Sequence, residues 1–199
     1  MTETAGTEHP AAGRWVERQL TSAPHGHMLT NTGCWTSDGR RLVYDIRADE
    51  TVFDGTRIES VDVADGRVRV LHESGAGAAC GVVTCCPATG ACVFILGPEN
   101  PSSDWTYAAS RRRGVVLDPD SPGPPEGLDA RDLVPPFTPG ALRGGTHLHT
   151  FGGDGQGWVA STYEDHLLAS AGLAAGAETN QRNVAVSVPA GFVRPRHRH

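Results

Sequence analysis

The sequence predicts an all-β fold, an incomplete β-propeller with about two complete four-stranded blades and part of a third. Three observations carry that reading. Glycine and proline are abundant, 25 and 14 of 199 residues, which suits many short elements joined by turns and does not suit long helices. Short β-prone runs flank Asp-Gly and Thr-Gly turns. A strand–turn–strand unit also recurs: CWTSDGRRLVYDIR from Cys34, CCPATGACVFILG from Cys85 and FGGDGQGWVASTY from Phe151. Repeats of about 40 to 50 residues, each supplying four short strands, are the mark of propeller blades rather than of a sandwich.

Taken in order, residues 1–13 read as a disordered N-terminal tail and 14–199 as the propeller domain. Residues 14–21, RWVERQLT, suit a short strand. In the next stretch Asp38-Gly39 marks a tight turn, after which Leu42, Tyr44 and Ile46 alternate with Val43, Asp45 and Arg47 as a strand requires. Residues 58–73 predict a hairpin, with Val61 and Val63 before Asp65-Gly66 and Val68 and Val70 after it; Asp-Gly suits a type I′ turn, whose two central residues both take positive φ. Val93 to Leu96 is continuously apolar, the pattern of a strand buried on both faces. Residues 106–117 suggest another hairpin turning at the arginine triplet 111–113. Residues 118–143 form a Pro/Gly-rich connection of the kind that serves as a functional cover or stays disordered. Residues 144–168 make the third unit, 169–179 a loop or frayed helix, and NVAVSV at 183–188 a short strand. The blades then span about 25–75, 78–117 and 144–190.

A net charge of −6 argues against a broad nucleic-acid or anionic-membrane surface. The chain has no lysine, which removes Schiff-base and P-loop lysine chemistry. No signal-peptide pattern opens it and no apolar run approaches membrane-spanning length, so the expected location is the cytoplasm. Five cysteines (Cys34, Cys80, Cys85, Cys86, Cys92) lack C-x-x-C spacing and read as free buried thiols, with a metal site at Cys80, Cys85 and Cys86 unsupported by spacing. There is no G-x-S-x-G elbow, no H-E-x-x-H and no dinucleotide fingerprint.

The turn at 36–44, of the form [ST]-x-DG-x-x-[LV]-x-[YF], resembles the repeat of TolB-like β-propellers. The segments HGHMLTNTGCWTSDGRRLVYDIR, FILGPENP, LDARDL, PFTPGALRGGTHLH, TYEDHLL and NQRNVAVSVP resemble the YidR-like uncharacterised bacterial propeller family, over most of the chain. That resemblance implies a propeller and no established activity. It also implies a C-terminally truncated member, since the chain stops where further blades are expected. Gly152-Gly153 replaces the usual Ser-Pro of the turn, and Cys86-Pro87 stands in place of His-Pro.

The chemistry concentrates at 144–168. His147 and His149 are i and i+2, so on a regular strand they leave one face with Cα atoms about 6.5–7 Å apart and can share a divalent metal ion. His25 or His27 on the equivalent strand of the first blade, His166, Asp165 or Gln181 are the further candidate ligands. The alternative is that these histidines hydrogen-bond neighbouring loops or contact a substrate. Asp165-His166 is a candidate acid–base pair or a turn anchor, and Arg143 a candidate anion contact or a loop salt bridge. The expected function is a binding propeller that takes a protein or a small polar ligand at its channel or rim, through Arg143, His27, His166 and Asp165. The alternative is a metal-dependent enzyme on a carbohydrate or other polar substrate. Oligogalacturonate lyases, similar propellers with a histidine-bound metal, offer the analogy; their pattern also uses a glutamine near H-x-H, where this chain has Gly144.

Overall fold

The computed structural model describes residues 15–121, 123–171, 182–189 and 193–197. The readings made for residues 1–13 and for Gln181 lie outside them, as do most of those for 169–179 and 189–199. The described chain is almost all β. The first sheet runs β1 (Arg41–Asp45), β2 (Arg57–Asp62) and β3 (Val68–Glu73). The second runs β4 (Cys80–Cys85), β5 (Cys92–Leu96), β6 (Arg113–Leu117) and β7 (Glu126–Gly127). The third runs β8 (Gly144–Phe151), β9 (Val159–Asp165) and β10 (Arg182–Ser187). Every pairing between these strands is antiparallel and joins sequence neighbours, so each sheet is a meander. Backbone pairing of Met28 with Asp45 and of Trp35 with Leu42 lays an irregular stretch along the free edge of β1. A short helix, α1 (His166–Ser170), follows β9. Among the described residues no helix is long and apolar enough to cross a membrane.

The three recurring turns adopt one geometry. Gly39, Gly90 and Gly155 all take positive φ, at 67°, 80° and 74°, the region an L side chain resists. In each turn the residue before the glycine accepts the backbone N–H two residues on: Asp38 from Arg40 at 3.0 Å, Thr89 from Ala91 at 3.3 Å, Asp154 from Gln156 at 3.1 Å. The hairpin at 58–73 forms, but not with a two-residue turn. Asp62 N–H bonds Arg67 O at 3.0 Å and Gly66 alone of the pair has positive φ, so Val63 lies in the turn instead of the strand. The predicted hairpin over 106–117 does not form; a 3-10 turn at Ala109–Arg111 leads into β6, which begins at Arg113 and pairs with β5. Residues 15–21 hold no regular element. The Pro/Gly-rich segment contributes β7, the outer strand of the second sheet.

The core lies between the first two sheets. Val43, Ile58 and Leu71 meet Cys80, Val83, Cys85, Phe94, Leu96, Val115 and Leu117. As the apolar run predicts, β5 is buried along its whole length. All five cysteines are free and buried, and burial raises the Cys80 thiol to about 12, which leaves it protonated and inert. β8 packs against β4, β5 and β6, so the third sheet covers the other side of the second. Gly55, between β1 and β2, lies against both the end of β1 and the start of β4: its carbonyl accepts Cys80 N–H at 2.7 Å, and a Cβ there would stand 2.5 Å from Ile46 O and 2.8 Å from Cys80 O. Both obstacles are backbone. Gly55→Ala should therefore cost about 1–3 kcal/mol by urea denaturation, while Gly75→Ala, with open space around it, should stay within about 0.5 kcal/mol of wild type.

Candidate functional site

β8 carries the H-x-H pair, but it is not a regular strand. Its register with β9 shifts between His147 and Thr150, and Leu148 takes φ 53°. β4 shows the same irregularity, with a shift between Gly81 and Thr84 and Val82 at φ 60°. The bulge interrupts strict alternation and gives the two imidazoles different surroundings. His149 is fully buried; its Nε2 lies 3.0 Å from Thr146 Oγ1 and its carbonyl accepts the Thr84 hydroxyl at 3.1 Å. His147 Nε2 lies 3.9 Å from Glu164 Oε1, and Glu164 is clamped by Arg112 at 2.8 Å and Arg182 at 2.9 Å.

Burial pushes both imidazoles down to about 4, with Arg112 adding to the effect on His147 and His147 and Arg112 on His149. Both are neutral at pH 7. His147 Nε2 and His149 Nδ1 are buried without a hydrogen-bond partner among the described residues. Beside them, burial raises the carboxyl of Asp129, which accepts from the Ser187 and Thr146 hydroxyls. A patch of shifted groups of this kind marks a candidate site. Asp129 and Glu164 belong to it and are not among the residues singled out from the sequence; Asp129 sits in the LDARDL segment and Glu164 in TYEDHLL, which entered only as segments of the family resemblance.

Arg143, Asp165 and His166 come together at the start of β8 and the end of β9. Asp165 caps α1 by accepting Leu167 N–H at 2.8 Å and also pairs with Arg143 at 2.8 Å. His166 N–H bonds Arg143 O at 2.8 Å, and the His166 ring lies edge-on to Trp105 at 5.9 Å. This geometry matches both the turn-anchor and the salt-bridge alternatives. His27 sits elsewhere, in the irregular segment beside the first sheet, its ring centroid 4.5 Å from that of His25 and tilted by 33°. Among the described residues the one group of three whose metal-ligating atoms all lie within 4.8 Å is His25, His27 and Glu59; it does not include His147 or His149.

The fold and this site define an all-β protein of consecutive antiparallel meanders with a buried polar patch on its third sheet. The chain belongs to the family described as a protein of unknown function (DUF3748), which matches residues 79–199, the stretch holding the second and third sheets. It is similar to the uncharacterized protein YidR of Escherichia coli (strain K12), at 42% identity over 182 residues. That match covers 92% of this chain and 42% of the relative, so the chain spans less than half the length of the relative it matches.

In the unfolded chain His147 and His149 protonate near the ordinary 6.5, but the fold keeps them neutral down to about 4. Below 6.5 the unfolded chain takes up protons that the fold refuses, so stability falls as pH drops from about 6.5 to about 4. Urea midpoints measured near pH 7 and pH 5 should fall less in His149→Gln than in wild type. Equal falls would show that His149 does not resist protonation.

Proposed function

We propose that the three sheets are blades of a TolB-like β-propeller and that this scaffold binds a protein or a small polar ligand at its rim or channel. The repeated turn geometry and the stacking of β1 on β4 and β4 on β8 support the propeller reading. One observation carries the binding reading. Val184 is 94% exposed, Val186 and Val188 are exposed with it, and β10 pairs with β9 alone among the described residues. Such an edge offers a row of N–H and C=O groups to an incoming extended segment, with apolar side chains to grip it. Arg143, Asp165 and His166 at the β8–β9 end supply polar contacts for a charged group. The metal-dependent alternative has a specific observation of its own, the clustering of His25, His27 and Glu59.

Panning a peptide-display library on the immobilised protein tests the binding reading. Enrichment of extended apolar sequences is expected, and it should drop about tenfold or more in a Val184→Lys/Val186→Lys variant. No enrichment, or equal enrichment in the variant, would count against the β10 edge as the binding surface.

A further inference from the structure

The segment His25-Gly26-His27 is fixed before β1 by backbone pairing of the next residue, Met28, with Asp45. Gly26 lies against the Arg47 carbonyl so closely that no Cβ fits, which presses the segment onto the backbone beyond β1 and brings both imidazoles out side by side. Glu59 reaches the same place from the middle of β2, and it is only 3% exposed.

The bonding of these three groups is incomplete in a consistent way. The hydrogen bond given to the Glu59 carboxylate is from the Tyr44 hydroxyl, to Oε2 at 2.8 Å, and no ion pair reaches it among the described residues. Burial and Glu59 both raise the Tyr44 hydroxyl, so it stays a neutral donor and brings no positive charge. A buried carboxylate without a cation is costly. His27 Nε2 is buried and has no hydrogen-bond partner among the described residues. His25 Nδ1 lies 3.2 Å from Gly26 O, which selects the tautomer with hydrogen on Nδ1 and turns the Nε2 lone pair outward. One ring nitrogen of each imidazole and one carboxylate oxygen thus lie within 4.8 Å of one another. Ligand atoms on a zinc-class ion, bound at about 2.0–2.2 Å, stand roughly 3–3.5 Å apart.

We propose that His25, His27 and Glu59 form a binding site for a divalent first-row transition ion of the zinc or iron(II) class. Two imidazoles and one carboxylate suit these ions and leave coordination positions open for water or a polar ligand. The ion supplies the positive charge that Glu59 lacks and a partner for His27 Nε2. The site is separate from the β8 histidines and does not depend on the propeller reading, since the ion can bind whether or not the β10 edge takes up a peptide.

The test is zinc titration of chelator-stripped full-length protein near pH 7.5, read by competition with a chromophoric chelator. Cobalt(II) serves as a visible-absorption probe of the coordination. The expected result is one zinc per chain, weakened about tenfold or more by His27→Ala and by Glu59→Gln and unchanged in His147→Ala/His149→Ala. Cobalt bands should appear in wild type and be lost in His27→Ala. Circular dichroism checks that Glu59→Gln is folded; His25→Ala, on the loop, gives a second variant with the same expected loss. Absence of stoichiometric zinc in wild type, wild-type affinity in the His25→Ala and His27→Ala variants, or loss confined to the β8 variant would each overturn the proposal.

Discussion

The carboxylate of Asp45 sits at the end of β1 with three donors arranged around it. Oδ1 accepts the Thr30 hydroxyl at 2.8 Å and the Val82 N–H at 3.0 Å, and Oδ2 accepts Arg47 Nε at 2.5 Å. Its own backbone N–H and C=O pair with Met28. Both charged side chains are almost fully buried. One side chain therefore ties the 28–30 segment, β1 and the bulge of β4 to a single point. Val82 holds φ 60° there, a conformation a β-branched residue adopts at a cost, and the bond to Asp45 helps hold it. Taking one partner from a buried pair leaves a charge without compensation, typically about 3–5 kcal/mol.

The placement of both chemical clusters follows from that anchor. Pairing of Met28 with Asp45 sets the position of His25 and His27, and strand β2 alongside β1 brings Glu59 beneath them. On the other side β4 receives β8, and the Thr84 hydroxyl bonds the His149 carbonyl, joining the second sheet to the polar patch of the third. The two clusters differ in chemistry. The β8 patch already contains its own cations, Arg112 and Arg182, around Glu164. Glu59 has no such partner among the described residues, which makes the first-sheet cluster the better host for an added cation.

Much of the β character was legible because its signals are local. Asp38-Gly39, Thr89-Gly90 and Asp154-Gly155 each encode a left-handed glycine after a side chain that can accept the backbone N–H two residues on, and all three turns form that way. The unbroken apolar run of β5 announced burial on both faces. What escaped the sequence depends on tertiary contact. A two-residue strand such as β7 has no periodicity to detect, and its partner β6 decides its existence. The bulges of β4 and β8 carry bonds between sheets, Val82 N–H to Asp45 and the Thr84 hydroxyl to the His149 carbonyl, so the even spacing of His147 and His149 gave no warning that their surroundings differ. Glu59 looked like one polar residue in an alternating hairpin; only the fold brings it beneath His25 and His27.

The central claim is that Asp45 couples the first sheet, the preceding segment and β4 into one cooperative unit. Native-state amide hydrogen exchange in wild type and Asp45→Asn tests it most directly. In wild type the amides of Val82, Val43 and Met28 should exchange with a common free energy, close to that of global unfolding. In Asp45→Asn, Val82 and Met28 should lose protection together, ahead of the β5 amides. Unchanged protection at Val82 and Met28 in the variant would contradict the account.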